Sequence, residues 1–473
     1  MIFTSYSYMF FLLGVFFIYW SVDHTWQKRV LIIASYLFYC SWQWQFGFLL
    51  LGVSLFNWAY GRWIIPKTQH SWPVMLGILI NLTPLVYFKY TAFFLTNLTI
   101  ALNTLGGHWS SVFQELILPL GISFFTFQGI AYLVDVASGE EPFLSVADFL
   151  LFKAFWPQLI AGPIIRPGEI RSQIQHRRTF DYNDVAVGAH RILLGFFKKI
   201  VLADTLAPFV DMVFLPGATP HAVDSLFGTL GFGLQIYFDF SAYSDIAIGS
   251  ARLFGFVFPE NFDWPYLSRS PQEFWNRWHM TLSRWIRDYI STPLTFAARH
   301  HPGMAPFWLL VTMTTCGLWH GARWTFVMWG LWHGLLLVLH HTIMKDFFAP
   351  SAHMAQHSSY WQDGLRWTVT FVMIMLGWIF FRAETLSQAW HILGSIITWH
   401  GGVRPAILRE NVILIVSLLL ISVIMLQRMR DWEDIWHHDT LTIRALKPVL
   451  YLLLTMAVIV FDKEATAFVY FQF

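Results

Sequence analysis

Apolar runs long enough, or nearly long enough, to cross a bilayer recur from one end of this 473-residue chain to the other. They cover residues 9–22, 30–40, 46–60, 74–88, 112–136 and 149–162, then 192–214, 226–256, 307–318, 325–339, 367–381, 411–426 and 446–461. Hydrocarbon offers no water to bond backbone N–H and C=O groups, so each run must satisfy its own, as a helix does. About 20 residues are needed to span about 30 Å of hydrocarbon. Several runs are shorter, so tilted or re-entrant segments are expected among about ten to thirteen helices. The expected fold is all-α: a polytopic membrane helix bundle with re-entrant and amphipathic cytoplasmic helices, built as a single integral membrane domain over residues 1–473.

Composition supports this. Hydrophobic residues make up 56% of the chain, aromatics 19% and charged residues only 12%, about half the charge of an ordinary soluble domain. The longest polar intervals, 166–184, 259–299 and 341–362, are each too small for an independent soluble core. The first run has neither a basic preceding region nor a small-residue cleavage site, and reads as a retained helix rather than a secretory signal. The net charge of +2 says little, but its distribution says more. Arginines cluster at Arg166, Arg171, Arg177 and Arg178, at Arg269, Arg277, Arg284, Arg287 and Arg299, and at Arg428 and Arg430. Short basic loops stay cytoplasmic, which places these regions on that side. The bilayer is the expected partner and nucleic acid is not. Cys40 and Cys316 lie in apolar segments without metal-type spacing and read as free buried thiols. No internal repeat is evident, which weakens an inverted-repeat transporter reading.

Within this apolar background one residue points to chemistry. Trp319-His320-Gly321 is followed by Trp324, Trp329-Gly330 and His333-Gly334, and an ionisable side chain at membrane depth is a functional candidate. Glycines 317 and 321 allow close helix approach or a local break, and irregular backbone at that depth is tolerated where it lines a cavity. His320 could then face a channel.

The interval after Phe258 differs from the rest of the chain. Ser270 with Glu273 three residues on is a capping-box signature and Pro271 suits a first helical position, so a helix should begin at Ser270. Trp275, His279, Leu282 and Ile286 follow at four, three and four residues. This spacing predicts a continuous amphipathic helix with His279 in the middle of its apolar face, and Arg277, Arg284, Arg287 and Asp288 largely off it.

A neutral imidazole suits the removal of a proton from a hydroxyl. The chain offers no serine nucleophile elbow, phosphate-binding glycine loop or convergent carboxylate pair. A base without a nucleophile suggests direct transfer from an activated donor to an external hydroxyl. Metal is not expected: His353 with His357, and His437, His438 and Asp439, lie in polar connections that nothing completes. A haem reading through His320, His333 and His190 is equally weak. The alternative of another class is a transporter or export channel with proton-relaying histidines.

Five motifs in order sharpen the reading: Leu118-Pro119-Leu120-Gly121-Ile122-Ser123-Phe124-Phe125-Thr126-Phe127-Gln128, Gly162-Pro163-Ile164-Ile165-Arg166, Phe238-Asp239-Phe240-Ser241-Ala242-Tyr243-Ser244-Asp245, Phe274-Trp275-Asn276-Arg277-Trp278-His279 and Leu318-Trp319-His320-Gly321. Together they resemble the membrane-bound O-acyltransferases, most of all the bacterial branch that acetylates alginate and cellulose, over a core of about 117–334. The resemblance implies His320 as the catalytic histidine and His279 as the second polar position, filled by His, Asn or Asp across the family. It implies a funnel through the bundle, with a thioester donor from the cytoplasm and an acceptor from the other side. His320 would act as base, and His279 would orient the hydroxyl or stabilise the oxyanion. Trp275, Asn276, Arg277, Trp278, Arg287, Asp288 and Trp319 would line the substrate path. No cofactor is expected beyond acetyl-CoA as donor substrate. The implied partners are a periplasmic, SGNH-like polysaccharide O-acetyltransferase and a polysaccharide synthesis and export complex at the inner membrane. D-alanyl transfer from a carrier-protein thioester is the enzymatic alternative. The chain departs from the alginate-type pattern after Arg287-Asp288-Tyr289, where Thr292-Pro293-Leu294 runs into Thr295-Phe296 instead of a Pro-Leu-Gly-Gly loop.

Overall fold

A computed structural model of the chain describes residues 1–67, 70–107, 109–110, 116–176, 178–348, 360–399, 441–462 and 468–469. The run at 411–426, Arg177, Arg428, Arg430, His353, His357 and residues 437–439 lie outside the described residues. Among those described, the chain forms helices and no strand, as expected of an all-α polytopic bundle. Gln45–Lys67, Trp72–Thr104 and Tyr360–Arg382 are long and apolar enough to cross a membrane. Tyr6–Ser21, Ile122–Ala137 and Lys447–Phe461 are apolar but shorter.

Polarity runs inside out on the outer helices. Phe10, Phe17, Leu37, Phe48, Met75 and Leu79 are exposed, whereas Ser35, Ser54, Asn57 and Asn81 are buried. In lipid an outward apolar side chain carries no penalty, so helix association relies on packing and interhelical hydrogen bonds. Asn57 and Asn81 supply such a clasp: each amide Nδ2 donates to the other's Oδ1 at 2.9 Å, joining Gln45–Trp63 to Trp72–Leu85.

The centre of the bundle is the 32-residue helix Ala222–Leu253, about 48 Å long at the usual rise per residue. It is buried on nearly every side, yet it carries Asp239 and Asp245. A buried carboxylate costs several kcal/mol unless it is paired, and both are paired. Lys199 Nζ reaches Asp239 at 2.9 Å and Asp204 at 2.7 Å, and Asp239 also accepts from the Val469 amide at 2.9 Å. Arg191 Nε and Lys198 Nζ hold Asp245 at 2.9 and 2.7 Å. The adjacent lysines lie on the π-helical turn Phe197–Ala203 between Tyr182–Phe196 and Asp204–Phe214.

Two apolar runs do not form the single elements their composition suggests. The run 149–162 breaks at Phe155, because Pro157 cannot continue the ladder of Val146–Ala154 and instead enters the first turn of Trp156–Leu159. In the run 112–136, the described residues from 116 onward become helical at Ile122, after Gly121 takes a left-handed conformation with φ of 71°.

Helices Ala305–His320 and Trp324–His341 form a tight hairpin. Both readings of the glycines hold. At Gly317 a Cβ would overlap the Phe326 carbonyl oxygen and lie 2.9 Å from Gly330 Cα, so the two backbones touch there. At Gly321 the backbone turns extended and the helix ends. Cys316 is buried on this hairpin; Cys40 is free too but only half-buried. Replacing Gly317 with Val should lower the thermal midpoint of the detergent-solubilised protein by an amount equivalent to about 1–3 kcal/mol or more of overpacking. Gly52→Ala, where a Cβ meets nothing within 4 Å, should leave the midpoint unchanged.

Candidate active site

His320 is the last residue of its helix, so the final carbonyls of that helix end inside the protein with no intrahelical partner. They are not left bare. Lys89 Nζ donates to Trp319 O at 2.7 Å and to His320 O at 2.9 Å, and Tyr90 Oη donates to Leu318 O at 2.9 Å. A cation at the negative end of a helix dipole is favourable as well as capping. Lys89 and Tyr90 come from Val86–Tyr90, a π-helical turn just beyond Pro84 within the stretch Trp72–Thr104. The His320 ring is buried, 7% exposed, and meets Trp319, Trp329 and Phe381 with ring centroids at 4.7, 5.0 and 5.2 Å.

His279 corrects the sequence reading. The helix does start at Ser270, whose Oγ accepts from Glu273 N at 3.1 Å, although Glu273 turns its own carboxylate to the Arg269 amide at 2.7 Å. It is not continuous. Pro271–Arg277 stops, and Met280–Ile286 begins after His279 in a left-handed conformation, φ 43° and ψ 54°. The apolar period ran through the break because it could not register the strand-like segment opposite. Asp263 N donates to Arg277 O and Met280 N to Asn261 O, both at 2.9 Å, replacing helical bonds. A non-glycine residue in that region costs about 1–3 kcal/mol. Asn261 offsets this: its Oδ1 is within 3.1 Å of His279 Nδ1 and accepts from Thr281 Oγ1 at 2.9 Å and Thr281 N at 3.3 Å. A carbonyl oxygen that accepts these fixes the neutral ring as the Nδ1–H tautomer and leaves Nε2 with the lone pair.

Trp319 lies between the two histidines, its ring 6.4 Å from that of His279 and 4.7 Å from that of His320. It also ends a column of rings: Trp285 stacks on Phe127 at 3.7 Å and Phe127 on Trp319 at 5.0 Å, with Trp285 Nε1 bonded to Phe127 O at 3.1 Å. His320, Trp319 and Lys89 line a small cavity of about 60 Å³ closed by residues 118–124. Lys89 and Leu118 also line a second cavity of about 720 Å³, bounded by Asn97, Arg323, Thr325 and Glu384 among others.

The remaining expected residues divide. Trp275 and Trp278 are buried in the same aromatic core, 5.1 Å from His333 and 4.9 Å from Trp378. Asn276 is exposed, and Arg277 pairs with Glu273 at 2.9 Å. Arg287 pairs with Asp288, and Arg166 grips the same carboxylate, both at 2.7 Å, while Arg166 lies over the Tyr289 ring at 5.3 Å. Arg284 and Glu169 add a contact at 3.1 Å. The loop of 166 and the turn of 284–288 therefore share one face. The departing sequence after Tyr289 forms the short helix Thr292–Ala297. Sequence reasoning missed Lys89 and Asn261. The apolar run 74–88 stops one residue before Lys89, so Lys89 falls outside it although the helix continues to Thr104.

The sequence profile of the membrane-bound O-acyltransferase family matches residues 6–382. The chain belongs to that family. The match extends well beyond the core of 117–334 that carried the resemblance. Curated relatives agree. A probable alginate O-acetylase of Pseudomonas aeruginosa is 37% identical over 84% of this chain and 75% of its own length. A peptidoglycan O-acetyltransferase of Helicobacter pylori is 35% identical over 79% of this chain and 74% of its own length. A teichoic acid D-alanyltransferase of Streptococcus thermophilus is 30% identical over 59% of this chain and 71% of its own length. This membrane-bound O-acyltransferase is thus a multi-pass membrane enzyme.

On the arginine-rich face, burial pushes the Asp288 carboxyl up, but the hydrogen bonds and charges of Arg287 and Arg166 outweigh it and hold the group below its ordinary 3.8. A depressed carboxyl contributes stability above its unfolded value and loses it as pH falls through the folded one. The thermal midpoint of Asp288→Asn should therefore lie below wild type at neutral pH, with the gap closing below about pH 4. A gap that is constant down to about pH 2.5 would dissociate the clamp from the carboxylate charge.

Proposed function

We propose that this enzyme moves an acetyl group from cytoplasmic acetyl-CoA toward hydroxyls of an exported polysaccharide of the alginate or cellulose type, across the inner membrane, directly or through a periplasmic acetyltransferase partner. The observation that carries the reading is the position of His320: at the buried inner end of the helix Ala305–His320, lining a cavity whose neighbour, through the shared Lys89 and Leu118, is a volume of about 720 Å³. The helix bearing it starts at Ala305, just beyond the arginine-rich turns, and runs about 24 Å inward. Glu384 and Thr385 of the larger cavity follow the helix Tyr360–Arg382, whose first turn is tied to Arg269 through Asp363 at 2.7 Å. A donor from the arginine side and an acceptor from the opposite side would meet at one imidazole.

The chemistry is acyl transfer without a covalent enzyme intermediate. His320 takes the proton of the acceptor hydroxyl as its oxygen attacks the thioester carbonyl, and the collapsing intermediate expels a thiolate that recovers the proton. A thiol leaving group of pKa about 8.5 needs little acid assistance. His279 Nε2, held as an acceptor, would orient the hydroxyl. The aromatic walls exclude water, which would otherwise compete for the acyl group. Acetyl is favoured over D-alanyl because the acetylase relatives match at higher identity over more of this chain.

His320→Ala should abolish acetylation of the secreted polymer while the protein still inserts and purifies. His279→Ala should lower the rate by about 10²-fold or more, the scale of a lost proton-handling group. Mass analysis of the polymer from cells carrying each variant reads both, and unchanged acetyl content in His320→Ala would end the assignment. Labelled acetyl-CoA offered beside a D-alanyl carrier thioester identifies the donor: incorporation only from the carrier would transfer the reading to D-alanylation.

A further inference from the structure

We propose that Lys89 is a catalytic residue of this enzyme, whose ammonium binds the oxyanion formed from the acyl carbonyl. The inference rests on the acyl-transfer reading above and goes beyond it to a residue outside the five motifs.

Acyl transfer through a tetrahedral intermediate needs a donor aimed at the oxygen that gains charge, and in a dry site such a donor is among the largest contributions to rate. Neither histidine supplies it. His320 must be unprotonated to act as base. Asn261 takes the Nδ1–H of His279, so Nε2 of the neutral ring is an acceptor and would face an oxyanion lone pair to lone pair.

Lys89 meets the requirement. It is the one cation lining the His320 cavity among the described residues, and it also lines the larger cavity from which the acceptor would come. An ammonium carries three N–H donors. Two are fixed by the carbonyls of Trp319 and His320 at 2.7 and 2.9 Å, which sets the orientation of the group before any substrate arrives. One N–H is left for the cavity. The positive end of the helix Ile122–Ala137 borders the same space, with Gly121, Ile122 and Ser123 in its wall, and adds a favourable field for negative charge. A lysine placed solely to cap a helix end would not need to sit where two cavities meet. Its place on a π-helical turn is a further mark, since such turns are common at functional sites.

The step balances. The acceptor O–H passes its proton to His320 as the new C–O bond forms, and the carbonyl π pair moves to oxygen, where Lys89 donates a hydrogen bond without giving up a proton. Collapse re-forms C=O and breaks C–S, and the thiolate takes the proton from the imidazolium. Lys89 ends as it began.

The test uses membranes with the full chain in a host lacking its own copy, radiolabelled acetyl-CoA as donor, and chemically deacetylated polymer from the producing cell as acceptor. Lys89→Gln keeps donors for the two carbonyls but removes the charge. It should lower kcat by about 10²–10³-fold, the cost of one oxyanion donor, and leave the donor KM within about two-fold. In Lys89→Gly, methylammonium should restore turnover in proportion to its protonated concentration and formamide, a neutral donor able to refill the carbonyl cap, should not; equal rescue by both would mark a purely structural lysine. Lys89→Gln at wild-type kcat beside an inactive His320→Ala would overturn the role of Lys89 and leave acyl transfer standing. A flat response to methylammonium would overturn it even if Lys89→Gln failed to fold. An active His320→Ala would instead remove the underlying reaction.

Discussion

The structure depends on how a helix can end inside a membrane protein. Terminating Ala305–His320 in the interior exposes carbonyls that have neither a next turn nor water to bond. In a hydrocarbon setting each such group costs several kcal/mol. The Lys89 ammonium and the Tyr90 hydroxyl remove that cost from a second element, the long stretch Trp72–Thr104. The proposed base can therefore stand at an interior break instead of on a helix face, and the mouth of a cavity can open beside it. The same rule recurs on the central helix, where Asp239 and Asp245 are tolerated because Lys198, Lys199 and Arg191 reach them.

What the sequence made legible follows from period and punctuation. Apolar runs, the Ser270 cap and the glycines at 317 and 321 are local signals, and each corresponds to a local feature: helices, a helix start, a close hairpin and a helix end. His320 was legible for the same reason, since a histidine framed by tryptophans in an apolar run breaks a local rule. The shape of the site was not. His279 keeps helical spacing with Trp275 and Leu282, and only the backbone of 261–263, folding back from earlier in the same interval, turns it left-handed. The hydrogen bonds that hold it there, each worth about 0.5–1.5 kcal/mol net, outweigh a local preference of the same size. Asn261 and His279 lie 18 residues apart, beyond the reach of a helical period.

Lys89 was hidden by a different cause. A lysine at the margin of an apolar run reads as an interfacial charge, because long basic side chains commonly reach water from such positions. The continuation of the same helix to Thr104, through a less apolar stretch, is what places it in the interior. Of the residues singled out for the substrate path, Arg287 and Asp288 are tied into ion pairs on the arginine-rich face, and Arg277 pairs with Glu273. Charge in a loop was legible; the partner that absorbs it was not.

The column of Trp285, Phe127 and Trp319 has a consequence for the cell as a whole. In the proposed reaction the two substrates come from opposite sides of an energised membrane, and a continuous file of water through the enzyme would dissipate the proton gradient. Rings stacked 3.7 Å apart admit no water molecule between them, and the backbone bond from Trp285 to Phe127 keeps that stack in register. Trp319 thus belongs both to this stack and to the wall of the His320 cavity, so one side chain joins the packed column to the proposed reaction chamber.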